Sequence, residues 1–444
     1  MYGPNGAKLL AADHSVGGIL RSMPTPLERS FPFSPSVQRL SNGITVLVDN
    51  VPTVGSCSVG IWVRAGTRDE PSAKAGVAHF VEHTSFRRTA RRSTSRIARD
   101  FEHVGAYANA YTTKEETCYE VRALAETFER VTETLADVVQ NPVFRDDDIE
   151  RERSIITEEI RSYEDEAEEH VFDIGEAQVF AGHSLATPIV GTVDSVQAIT
   201  AADVQAFHQR LYNANNVVVA VSGNVDPNHV LRVAEQNLGS LAKGRAPRRR
   251  APAPAKPSQI VYRRSLQQAH LLWQIRTPGQ FWPDRYALQV LSTILGDGMA
   301  SRLNVRIREA RGLAYSVYSS FQLFSDCGSF AIYAGLEASR LAKAETLIQR
   351  ELEALRTNGI RPAELHRAQQ QLRAAKIMSL ESLSARMSML GKTWLEEGAP
   401  EDPFETIRNI DGVTIHDVHR VASMLCDPSA WSRCTMIPGT AEDE

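Results

Sequence analysis

A chain of 444 residues exceeds the size at which a single core usually keeps growing, so at least two domains are expected. With 42% hydrophobic and 23% charged residues it has the make-up of an ordinary soluble globular protein, and a net charge of −5 argues against general nucleic-acid binding. No run approaches the length needed to span a bilayer, and the scattered Cys57, Cys118, Cys327, Cys426 and Cys434, with no Cys-x-x-Cys pair, fit a reducing compartment.

Residues 1–34 mix Lys8, Arg21 and Arg29 with Asp13 and Glu28, a poor transit peptide, and read as a disordered lead-in. The first strand is expected over Gly43 to Asn50, where Ile44, Val46 and Val48 alternate with Thr45, Leu47 and Asp49, followed by a second from Ser58 to Ala65. Next comes Ala75-Gly-Val-Ala-His-Phe-Val-Glu-His83, expected as a helix that starts at Pro71-Ser72 with Ser72 as its N-cap. In it His79, Glu82 and His83 stand at i, i+3 and i+4, so all three side chains leave one face. Two imidazoles one turn apart can grip a zinc ion, and the carboxylate between them can take a proton from water. The order His-x-x-Glu-His reverses the commoner His-Glu-x-x-His and marks the inverzincin peptidases. The competing reading is a core helix whose histidines merely satisfy hydrogen bonds.

Ser95 to Val104 reads as a further helix, and Gly105 opens a hairpin from Ala106 to Thr113 and from Thr117 to Val121. Leu124, Phe128, Val131, Leu135 and Val138 repeat at helical spacing up to Asn141-Pro142, after which one long acidic helix is expected from Asp146 to beyond Glu169. Val217 to Val221 is a buried-type strand. Residues 244–258 are Pro-rich and charged, a semi-rigid linker in which Arg248, Arg249 and Arg250 read as solvated. Beyond it the pattern repeats: Ser95 answers to Ser301, Gly105 to Gly312, Cys118 to Cys327, Thr200 to Thr414 and Gly223 to Gly439, at offsets of 206, 207, 209, 214 and 216. That steady drift predicts two homologous α+β domains, 35–243 and 259–438, each a mainly antiparallel sheet covered by helices, with a tail at 439–444. Where the second copy should carry the metal helix it reads Tyr286 to Leu295, without His or Glu.

A catalytic zinc site wants three protein ligands and an open position. His103, His170, His183 and the carboxylates of the acidic helix are the candidates; Glu152 and Glu159, seven apart, share a face. A solvated acidic face is the alternative. His79-x-x-Glu82-His83 followed 76 positions later by Glu159 resembles the pitrilysin family, and the half-size chain resembles its processing-peptidase branch. The resemblance implies a zinc endopeptidase with one Zn²⁺ per chain held by His79, His83 and Glu159, with Glu82 as general base and Glu152 supporting catalysis without touching the metal. Glu158 is the neighbouring alternative to Glu159.

The resemblance extends further. Gly105-x-x-x-Asn109-Ala110-Tyr-Thr-x-x-Glu-x-Thr-x-Tyr119 is similar to the family's edge strand, which takes an extended substrate peptide by β-augmentation. Arg308 and Tyr315 match its Arg and Tyr pair, which implies action on a partner chain's site in a homodimer or in a heterodimer with a homologous subunit. Glu169 and Asp173 resemble the segment that holds an arginine near the cleavage point. Thr84-Ser-Phe-Arg-Arg-Thr89 departs from the usual Met-x-Phe-Lys-Gly-Thr, and the Gly-rich loop of the non-catalytic partner is absent. The rival function is a structural or peptide-binding subunit of a processing or respiratory core complex. Bacterial cytoplasm is the expected location, with the mitochondrial matrix as the alternative.

Overall fold

The computed structural model describes residues 32–439, so the expected lead-in and tail lie almost wholly outside the described residues. Strands β1 (Ser36–Arg39), β2 (Thr45–Asn50), β3 (Ser56–Val63), β4 (Tyr107–Thr112), β5 (Thr117–Leu124) and β6 (Val217–Gly223) form one sheet in the order β1-β2-β6-β3-β5-β4. Strands β7 (Gln259–Arg264), β8 (Ala269–Thr277), β9 (Ala314–Leu323), β10 (Gly328–Leu336) and β11 (Ser432–Pro438) form the other in the order β7-β11-β8-β10-β9. Apart from β1 the two orders are the same. In each, the first pair is parallel and every later neighbour is antiparallel, so the duplication read from spacing is a duplication of topology.

Five helices matter most for the site: α1 (Val77–Ser85), α2 (Asp146–Asp165), α3 (Ala167–Val179), α4 (Arg285–Leu295) and α5 (Leu383–Glu397). α4 occupies in the second half the place that α1 holds in the first. The alternation at Ile44, Val46 and Val48 predicted one buried face, yet β2 is buried from Thr45 to Asp49, and β3 and β10 are buried along nearly their whole length; β6 is buried throughout, as a buried-type strand should be. The cause is an exchange of helices: α3, from the first half, packs on β8 and β11, while α5, from the second, packs on β3 and β6. Both contacts run over a glycine. A Cβ on Gly175 of α3 would stand 2.4 Å from the end of Leu272, which would have to shift, and one on Gly391 of α5 would stand 2.3 Å from the buried Trp62 ring. The exchange is also fixed by charge, because Arg386 of α5 grips Asp49 of β2 at 2.6 and 3.0 Å with both residues buried, and Ser222 donates to the same carboxylate at 2.7 Å.

Three expectations are corrected here. α1 starts at Val77 behind a left-handed Gly76, and Ser72 instead begins a short 3₁₀ turn, so Ser72 is not the N-cap. The single acidic helix is two, because Glu166, at φ −81° and ψ 89°, breaks it and turns α3 toward the second sheet. The linker arginines are not all solvated: Arg249 pairs with both oxygens of Asp69 at 3.0 and 2.8 Å, and the Arg250 carbonyl accepts from Arg68 at 2.8 Å. No helix among the described residues is long and apolar enough to cross a membrane.

Removing one partner of a buried ion pair leaves an uncompensated charge, so Arg386→Met alone should cost about 3–5 kcal/mol and lower the melting temperature clearly. Adding Asp49→Leu should restore most of it. A single variant that melts with the wild type would contradict the role given to this contact.

Candidate active site

α1 is an apolar helix with one polar face. Val77, Ala78, Phe80 and Val81 are buried, and the Thr84 and Ser85 hydroxyls donate back to the Phe80 and Val81 carbonyls at 2.6 and 2.7 Å, so the polar residues near its end satisfy the helix itself. His79, Glu82 and His83 leave the remaining face, their metal-capable atoms all within 4.8 Å of one another. α2 crosses α1 and buries Ile149, Ile156 and Ile160 against the core, which turns Glu152 and Glu159 toward the histidines. Glu159 Oε2 lies 3.7 Å from His79 Nε2 and 3.5 Å from His83 Nε2.

The two carboxylates of α2 stand in different positions. Glu152, 2% exposed, contacts His83 Nδ1 at 2.9 Å and accepts from Arg87 Nε, which fixes the ring so that Nε2 faces inward. Glu159 Oε2 is buried and has no hydrogen-bond partner among the described residues. An orphaned carboxylate oxygen between two imidazole nitrogens is what a cation would satisfy, so the residues present fit a zinc ion. Glu82 is the other available third donor, but its Oε2 already accepts from Thr112 Oγ1 at 2.5 Å. Glu158 turns outward to Arg161 at 2.5 Å. The remaining histidines are also elsewhere: His103 contacts the Arg99 carbonyl, His183 the Arg250 carbonyl, and His170 the Tyr262 ring.

The protonation states follow from burial and neighbours. Burial, helped by the charge of His83, drives His79 down to about 3, which keeps it neutral and able to ligate. Burial also works to lower His83, but the Glu152 hydrogen bond and the surrounding carboxylates outweigh it and raise the ring. Glu82 is raised by burial against its Thr112 bond, and Glu159 by burial and by Glu152. Burial would raise Glu152 as well, yet its bonds to His83 and Arg87 hold it below the usual carboxylate range.

A cavity of about 610 Å³ opens over this cluster, lined on one side by Ala110 and Thr112 of β4 and on the other by Glu169, Asp173 and Glu176 of α3. The break at Glu166 is what brings Glu169 and Asp173 there. Burial, with Glu176 and Glu169 adding to it and Lys114 opposing, pushes Asp173 up to about 6. β4 pairs only with β5 among the described strands, so its outer edge is open; Asn109 lies opposite Glu120 and is exposed. Arg308 and Tyr315 do not line this cavity. Arg308 has Glu309 as its nearest acid at 3.9 Å, and Tyr315 is 81% exposed on β9.

Several participants were missed from sequence. Thr112 stood inside the quoted edge-strand motif without a role, and Arg87 stood in the segment that departs from the family pattern. Lys114, buried with Nζ 2.9 Å from Glu176 and 2.6 Å from the Thr187 carbonyl, gave no signal at all.

Comparisons with known proteins bear on the family and the fold. Residues 45–193 match the family described as insulinase, peptidase family M16, and residues 198–372 match the one described as peptidase M16 inactive domain. An uncharacterized zinc protease of Mycobacterium leprae is 39% identical over 391 residues, covering 87% of this chain and 88% of its own. The uncharacterized zinc protease YmxG of Bacillus subtilis is 32% identical, with 86% and 94% covered. Among solved structures, a protease from Helicobacter pylori superposes with a TM-score of 0.84 at 22% identity, covering 91% of this chain and all of that one, and so supports the fold. On the strength of these relatives, which span nearly its whole length, the chain belongs to the pitrilysin, or M16, family of peptidases.

Proposed function

We propose that the chain is a zinc-dependent endopeptidase that cuts extended peptides or unfolded segments, with one zinc per chain. The observation that carries this reading is Glu159 Oε2, without a hydrogen bond among the described residues, facing His79 Nε2 and His83 Nε2 at 3.7 and 3.5 Å. His79, His83 and Glu159 would hold the ion. When bound, zinc supplies Lewis acidity toward water and toward the scissile carbonyl.

The chain's own groups do the rest. Glu82 takes a proton from the attacking water as its oxygen bonds to the carbonyl carbon, then delivers that proton to the amine as the C–N bond breaks. Thr112 holds one Glu82 oxygen and leaves the other for the proton. Glu152 keeps the His83 ring in one tautomer. The open edge of β4, with Asn109 and Ala110, pairs with the peptide main chain. Glu169 and Asp173 present two carboxylates to a guanidinium, which forks better than an ammonium and so favours Arg near the cleavage point. Arg308 and Tyr315 lie away from this chain's cavity and serve a partner's site, Tyr315 donating to the developing oxyanion. A homodimer suffices, and a homologous subunit is the alternative. All five cysteines are unpaired and buried, in keeping with a reducing, cytoplasmic setting.

Glu82→Gln should keep its zinc and lose peptide cleavage by about 10²–10⁴-fold; a variant that cleaves like the wild type contradicts the assignment. Glu169→Gln with Asp173→Asn should slow peptides bearing Arg near the scissile bond by roughly tenfold, about 1.4 kcal/mol, and change others little. Equal losses on both peptide classes would make the pair structural. Mixing Glu82→Gln chains with Tyr315→Phe chains should restore cleavage above either alone, and an absence of rescue would place Tyr315 in its own chain's site.

A further inference from the structure

α1 begins without a capping side chain at the usual position. Its N-cap is Gly76, at φ 90°, and glycine brings no oxygen to the free N–H groups of the first turn. The partner comes from six residues upstream. Glu70 Oε2 accepts from the Gly76 N–H at 2.9 Å, and Oε1 accepts from the Ala78 N–H at 2.8 Å. The turn that delivers Glu70 is itself pinned: its N–H bonds to the Thr67 carbonyl at 3.2 Å, and the adjacent Asp69 accepts from the Gly66 N–H at 3.1 Å and from Arg249.

A carboxylate is a costly choice for this task. Burial pushes the Glu70 carboxyl up to about 8 against the pull of the two N–H bonds and Lys114, so without a cation nearby it is largely protonated at neutral pH, and a dication in the cluster would favour its ionised form; a serine or threonine hydroxyl would cap without any such cost. The position of His79 gives the charge a purpose. His79 is the third residue of α1, inside the first turn, where unpaired N–H groups concentrate positive charge. That field disfavours a dication on the imidazole next to it.

We propose that Glu70 is a positioning residue for the metal, a carboxylate cap that offsets the positive end of α1 and sets its first turn so that His79 can share a zinc ion with His83 and Glu159. This rests on the zinc reading above and adds to it a residue outside the ligand set. Glu70→Gln keeps the shape and removes the charge; Glu70→Asp keeps the charge on a shorter arm.

The test uses the full chain, with the zinc dissociation constant measured by chelator competition and the melting temperature measured on the metal-free protein. Glu70→Gln should bind zinc about tenfold or more weaker than wild type, the size of effect seen for groups that support metal ligands. Glu70→Asp should lose less zinc affinity than Glu70→Gln, even where it lowers the metal-free melting temperature as much or more. Wild-type zinc affinity in Glu70→Gln overturns the inference, as does a loss of affinity that simply follows melting temperature across both variants. A wild-type chain that binds no zinc overturns the zinc reading and this inference with it.

Discussion

The site depends on a carboxylate oxygen that has no hydrogen-bond partner among the described residues. Burying Glu159 Oε2 beside two imidazoles, with no hydrogen bond to it, is a desolvation cost that a stable protein normally avoids. Its neighbours are engaged elsewhere: Glu152 contacts His83 Nδ1 and Thr112 donates to Glu82, while the buried isoleucines of α2 orient Glu159 toward the cluster. A single cation would satisfy that oxygen, and two imidazoles with a carboxylate are the donors zinc accepts.

Holding that geometry needs a scaffold larger than one sheet. The duplicated halves do not simply sit side by side: each lends a helix to the other's sheet, through Gly175 on Leu272 and Gly391 on Trp62. The break at Glu166 makes this possible on the first side, and it has a chemical result as well as a packing one. α2 carries Glu152 and Glu159 into the cluster, and α3 then carries Glu169 and Asp173 over the same cavity. Arg68 extends the tie, contacting Glu115 of the β4–β5 turn and Asp326 of the β9–β10 turn, both at 2.6 Å. The edge strand β4 and α1 are therefore referenced to the second half, whose corresponding helix α4 carries no His or Glu.

How much of this could be read in the chain depended on how local the cause was. His79, Glu82 and His83 were legible because helical spacing alone puts them on one face. Glu152 and Glu159 were legible as a pair for the same reason, whereas the choice of Glu159 over Glu158 came from family resemblance; about 100° of helical turn separates the two, and the burial of α2 decides which looks inward. The helix start was misplaced because its cap is neither Ser72 nor any residue at the cap position but Glu70, reaching back across a turn. The break at Glu166 has no proline or glycine to announce it. The strand alternation at Ile44, Val46 and Val48 understated burial because the helix covering the second face comes from more than 300 positions away. Arg249 looked solvated among prolines, and only tertiary placement beside Asp69 and Glu115 partly buries it.

The central claim is that two imidazoles and one specific carboxylate make a zinc site. Zinc titration of the metal-free chain, with stoichiometry and affinity compared for Glu159→Ala and Glu158→Ala, addresses it without reference to any substrate. The account predicts one zinc per wild-type chain, a steep loss of affinity in Glu159→Ala and near wild-type binding in Glu158→Ala. No zinc in the wild type, or loss in Glu158→Ala with retention in Glu159→Ala, would contradict it.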